Sequence, residues 1–219
     1  MSSTSKNSTL KFWVFWLLTM IVGWAVVQYV GIYERNTTLN SWGTVFSLVF
    51  RFLINGALIG GIIGLFYWGI FRVWTKNSQR WGLTTFLGYA IGSPLGFLAA
   101  VVISWVIAKL NGIELLAGST SSFLFMPLAL TMILSGGFVA FVQVFALQGT
   151  FLNITWKDRA LWVFGSSLSW GIGFILANLA WGIRFSTSSQ SAMVGLVVSI
   201  MTGSILYILL SANYQVEAT

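Results

Sequence analysis

Apolar residues run through this chain in long blocks instead of alternating with polar ones. Six such blocks, at about 12–33, 45–71, 81–107, 125–147, 161–183 and 191–210, are separated by connections of 7 to 17 residues. A hydrocarbon core of roughly 30 Å takes about 20 helical residues, so each block is long enough to span it. The pattern predicts an all-α polytopic membrane protein with six transmembrane helices in a single domain over 1–219. The polar start, 1–11, and the end, 211–219, are expected to be disordered. Connections this short leave no room for a soluble domain, and they force neighbouring helices to run antiparallel. The first block ends at Tyr33, Glu34 and Arg35 with no small-residue cleavage pattern, so it reads as a span and not as a signal core.

Small residues recur within the blocks at four-residue spacing, which places them on one helix face. Gly56, Gly60 and Gly64 form one such set and Gly88, Gly92 and Gly96 a second, with Gly136 and Ala140 in the fourth block and Ser191, Gly195, Ser199 and Gly203 in the sixth. Lipid gives one helix no hydrophobic reason to prefer another, so close approach over small residues supplies much of the association. These faces are therefore expected to be packing surfaces, the other reading being a pore or a sliding interface. Pro94 lacks an amide donor and is expected to bend the third span.

Compared with itself at an offset of 81, the chain matches at Gly56/Gly137, Lys76/Lys157, Trp81/Trp162, Leu87/Leu168, Ile91-Gly92/Ile172-Gly173, Leu95/Leu176, Leu98/Leu179 and Ala99/Ala180. The offset pairs the second span with the fourth and the third with the fifth, so the repeat is parallel. Gly23-Trp24 echoes Trp170-Gly171, and three helix hairpins with pseudo-threefold character are the economical reading.

Composition sharpens the picture mainly by exclusion. Hydrophobic residues make up 57% of the chain and charged residues 7%, against about a quarter charged in soluble domains; the mean hydropathy is +0.88. The chain has no Cys and no His, which removes thiolate chemistry, Cys metal sites and the usual general base. Its acids are Glu34, Glu114, Asp158 and Glu217, all at or beyond span ends, and none of the five lysines is central in a span. No enzyme, metal site or cofactor is expected. The formal charge of +7 fits contact with anionic headgroups, and no basic run points to nucleic acid. Seven Lys or Arg (6, 11, 72, 76, 80, 157, 159) fall on the side of the N-terminus and four (35, 51, 109, 184) on the other. The positive-inside rule thus places both termini in the cytoplasm.

A few polar groups need partners. Arg51 sits more than a turn inside the second span, with Asn55 one turn deeper on the same face, and Asn178 and Arg184 mark the corresponding end of the fifth. Either these four form a polar cluster that binds an anion or a lipid phosphate, or the arginines reach the interface separately. Gln143 needs a hydrogen bond, most simply across a helix interface. Of the twelve Trp, residues 13, 42, 68, 74, 81, 105, 156, 162 and 181 read as interfacial belt, and Trp24 and Trp170 lie deeper. Belt placement accounts for most of this set without a stacked pigment, quinone or carotenoid.

The stretch GGFVAFVQVFAL, followed by Trp162-Val163 and SSLSWGIG, resembles uncharacterised multi-span integral membrane proteins of the kind common in cyanobacteria. Gly136, Gln143, Trp162, Trp170 and Gly173 fit that pattern over about 45 residues, whereas Val144 stands where Trp is expected and Ser169 replaces a Gly. The resemblance implies a bacterial inner or thylakoid membrane and carries no activity. The expectation is a non-catalytic structural or accessory subunit, with membrane lipids and a larger complex or a homo-oligomer as partners. The alternative is a small transporter or channel for an anion or lipid-like solute.

Overall fold

The computed structural model describes residues 3–29, 42–72, 77–112, 121–150, 154–181 and 188–216. All six elements among them are helices: α1 (Ser3–Tyr29), α2 (Trp42–Phe71), α3 (Ser78–Leu110), α4 (Ser121–Thr150), α5 (Trp156–Trp181) and α6 (Ser188–Val216). Helices α2 to α6 are long and apolar enough to cross a membrane, and α1 holds a shorter apolar stretch, Leu10–Trp24. Each helix begins three to nine residues ahead of its apolar block, because extending a formed helix adds one backbone bond per residue fixed. For the same reason the polar start, expected to be disordered, is helical from Ser3, and α6 continues past 210 to Val216.

Local chemistry sets some of the ends. Thr155 and Asp158 exchange bonds at the start of α5: the Thr155 N–H and hydroxyl donate to Asp158 Oδ2 at 2.8 and 2.7 Å, and the Asp158 N–H donates back to Thr155 Oγ1 at 3.4 Å. This reciprocal cap uses the first-turn carboxylate where the helix dipole favours it. At the other end of the neighbouring hairpin, α3 stops at Asn111-Gly112, with Gly112 at φ +68°, a left-handed conformation open to glycine at little steric cost.

Each helix packs against its two neighbours in sequence, and α6 closes against α1, so the six form a ring; among the described residues no other pair packs side by side. Odd-numbered helices are therefore parallel to one another and alternate with even ones. The axis of the ring is filled mainly from the odd helices, with Tyr67 and Phe71 of α2 buried in one layer, where Tyr67 stacks on Trp16 at 4.5 Å and Phe71 on Trp81 at 4.4 Å. Trp16 and Trp24 of α1, Trp81 and Tyr89 of α3, and Trp162 and Trp170 of α5 are all buried. Within each helix the two rings stand eight residues apart, about 12 Å at 1.5 Å per residue, which makes two aromatic layers. Trp81 meets Trp162 edge-on at 5.9 Å in one layer; Trp170 meets Trp24 at 5.6 Å and Tyr89 at 5.7 Å in the other.

Even helices supply the seats. A Cβ on Gly136 of α4 would strike the Trp170 ring, one on Gly195 of α6 the Trp24 ring, and one on Gly203 would lie 2.6 Å from Trp16 Cδ1. On α2, Gly56 lies against the Tyr89 carbonyl and Gly60 against the Tyr89 Cβ. Gly203 also lets the Trp16 indole reach past it to donate to the Ser199 carbonyl at 3.2 Å. A second, smaller core lies apart, where Val45 of α2 packs on Phe97 and Val101 of α3 and Phe52 stacks on Phe97 at 4.7 Å.

Candidate functional site

The proposed polar cluster begins with Arg51, which is exposed on α2, with Asn55 half-buried one turn further on. Asn178 is half-buried on α5, where its Nδ2 donates to the Phe174 carbonyl one turn back at 2.8 Å and its Oδ1 is buried without a partner. Arg184 lies outside the described residues. In the ring α2 and α5 stand opposite each other, with two helices between them in either direction. Arg51 and Asn55 are thus not brought together with Asn178, because the order of helices around the ring separates the elements that carry them. An anion site assembled from all of them has no shared surface on the described residues.

The residues singled out for packing fall into two seams. Gly56, Gly60 and Gly64 face α3: a Cβ on Gly64 would come within 2.6 Å of the Gly82 carbonyl oxygen, and one on Gly60 within 2.9 Å of that of Phe86. Gly88, Gly92 and Gly96 face α4, where the nearest atoms belong to Val139, Phe138 and Ser135. Pro94 is buried between them inside a helix that continues to Leu110. Gln143 of α4 donates from Nε2 to Thr85 Oγ1 of α3 at 2.9 Å, both side chains buried. In an apolar medium such a bond satisfies two groups that lipid would leave bare.

The aromatic residues need a correction. Trp81 and Trp162, read from the sequence as belt residues, are 0% and 1% exposed. Trp68, Trp105 and Trp156 are exposed as the belt reading expects, while Trp42, Trp74 and Trp181 have no described side chains. The physical reason is the face each ring is on: Trp81 stacks on Phe71 of α2 at 4.4 Å and meets Trp162 edge-on at 5.9 Å, so both rings point to the axis and away from the interface. A signal for them was present: Trp16/Trp24, Trp81/Tyr89 and Trp162/Trp170 share one spacing of eight, which keeps both rings about 80° apart within one broad apolar stripe of the helix.

The interior carries a few unspent polar atoms, with Trp24 Nε1, Trp162 Nε1 and Ser166 Oγ buried and unpartnered. Chemically the arrangement offers stacking surface and isolated hydrogen-bond donors. The one acidic residue described, Asp158, is occupied as a helix cap. Among the described residues no group of three acidic side chains is placed to hold a metal. Compared with protein-family models, curated proteins and solved structures, the chain matches none.

Proposed function

We propose that this chain is a non-catalytic membrane protein that serves as a structural or accessory subunit, working through its lipid-facing exterior. One observation carries the reading: six large rings from the odd helices are committed to filling the axis, each against a helix partner. The outer faces instead present bulky apolar side chains, among them Phe50, Phe141, Phe145 and Phe164. An interior so occupied favours action by surface contact, with lipid or with another membrane protein. The setting that accompanies this reading is a bacterial inner or thylakoid membrane, with both termini on the cytoplasmic side.

Purified in a mild detergent, the protein is expected to run as an oligomer or with a co-purifying membrane protein. A strictly monomeric species with no protein partner overturns the accessory role. The transport reading makes the opposite demand. If Arg51→Gln cut anion flux in reconstituted vesicles far more than it cut protein yield, Arg51 would belong to a transport path.

A further inference from the structure

On the outside of the bundle, α2 and α3 leave a groove of about 460 Å³ between them, within the range of roughly 300–1,000 Å³ typical of ligand pockets. Its floor is glycine backbone: Gly64 and Gly82 bring the two helices together, and Gly61 beside them carries no side chain into the space. Helix packing explains Gly64 and Gly82, whose Cβ atoms would strike the opposite backbone, but it does not explain Gly61. A Cβ there would find only Phe86 Cδ2 at 3.9 Å, so the position is open on the groove side. Leu65, Leu83 and Phe86 make apolar walls, and Trp68 and Gln79 stand at the end where α2 finishes and α3 begins.

That end carries a charge. The Arg72 guanidinium lies over the Trp68 ring, 5.7 Å from its centroid, and it is exposed. Asp158, the one acid described, is bound to Thr155, so no carboxylate among the described residues neutralises Arg72. Neighbouring Arg80 turns away, its guanidinium against Gly149 at the end of α4. From Gly61 to Arg72 is eleven residues, roughly 16 Å of helix at 1.5 Å per residue, which is half of a hydrocarbon core of about 30 Å. The groove therefore runs from near mid-membrane to one interface, within a single leaflet, apolar along its length and cationic at its mouth.

We propose that this groove is a binding site for an anionic phospholipid, with an acyl chain lying over Gly61 and Gly64 and the phosphate met by Arg72 and the Gln79 amide. The inference rests on the lipid-facing role proposed above and names the lipid class and the place.

The test is native mass spectrometry of the detergent-purified chain titrated with phosphatidylglycerol or with phosphatidylcholine of the same acyl chains. The wild type is expected to favour phosphatidylglycerol by about fivefold, the size of one basic residue acting on an anionic headgroup. R72Q should bring the two lipids level while keeping the phosphatidylcholine adducts. G61L, whose Cβ would meet only the Phe86 ring edge, at 3.9 Å, fills the floor and should lose both adducts. L83W obstructs the same space from the opposite wall, so a poorly folding G61L leaves the prediction testable.

In vesicles, phosphatidylglycerol brominated on its acyl chains should quench a fluorescence component that is lost in W68F, and brominated phosphatidylcholine should quench it less. Equal adducts of the two lipids on the wild type, an unchanged preference in R72Q, or no difference between the brominated lipids at Trp68 overturns the site. An oligomer or complex with no lipid preference overturns the groove alone, and a monomer that keeps the preference overturns the accessory role alone.

Discussion

Between α2 and α3, backbone meets backbone: a Cβ on Gly64 would lie 2.6 Å from the Gly82 carbonyl oxygen, and one on Gly82 would lie 3.0 Å from that of Gly64. The junctions of α1 are made differently. Trp16 stacks on Tyr67 at 4.5 Å and Phe12 meets Phe71 at 5.5 Å on the α2 side, while Trp16 and Trp24 rest on Gly203 and Gly195 on the α6 side. Both junctions bury apolar surface without help from water, yet they fail in opposite ways. A seam of glycines is damaged by adding an atom, because the backbone opposite has nowhere to go. A junction of rings is damaged by removing atoms, because lipid chains fill the gap poorly and the ring's many dispersion contacts are lost.

The largest expected effect is at the ring junction. Trp16→Ala removes the stack on Tyr67 and the bond to the Ser199 carbonyl, and should cost about 3–5 kcal/mol of stability in a reversible unfolding assay in mixed micelles. Trp16→Phe, which keeps a ring and loses the donor, should recover most of that. A Phe variant as damaged as the Ala variant would mean that the hydrogen bond and not the stacking holds α1.

At the glycine seam, Gly96→Ala puts a Cβ 2.5 Å from the Ser135 backbone nitrogen. The α3–α4 pair must separate, at an expected cost of about 2–3 kcal/mol in the same assay. Tolerance of Gly96→Ala would show that this seam is looser than its geometry. Within the same pair, Gln143→Leu removes the bond to Thr85. Interhelical bonds of this kind average about 0.6 kcal/mol and reach about 1.7 in measured membrane proteins, so a loss of ~1 kcal/mol is expected. Thr85 can fall back on the carbonyl one turn earlier, as Thr84 already does with Arg80.

The smallest effect sharpens the comparison from the other side. Gly69 lies on the same helix as the seam glycines but has nothing within 4 Å of its would-be Cβ. Gly69→Ala should be neutral or stabilising by up to about 1 kcal/mol through reduced freedom of the unfolded chain. Clear destabilisation there would mean that the exterior at Gly69 is occupied in the membrane.

Hydropathy alone marked the six helices, since a run of twenty apolar residues has few other stable forms in lipid. The four-residue spacing marked the faces of Gly56 to Gly64 and Gly88 to Gly96, because helical periodicity is a local property. The cap of α5 is equally local, an exchange between Thr155 and Asp158 three residues apart, but only the structure showed it. The candidate site was less legible. Arg51 and Asn178 share an end of their spans in the sequence, but a sequence carries no order of helices around a ring.

What the chain determined by itself was the number of helices, their alternation in direction and the residues small enough to allow close approach. The tertiary structure decided which glycine receives which ring: Gly195 receives Trp24 across more than 170 residues of sequence. It also decided that Trp81 and Trp162 turn to the axis and not to the interface. The spacing of eight puts Trp81 with Tyr89 and Trp162 with Trp170 in one stripe of their helices, but whether that stripe meets the axis or the interface is decided only by the second ring it finds, Trp81 against Trp162 at 5.9 Å. That choice rests on contacts with other helices, Trp81 with Phe71 of α2 and with Trp162 of α5, which no local pattern encodes.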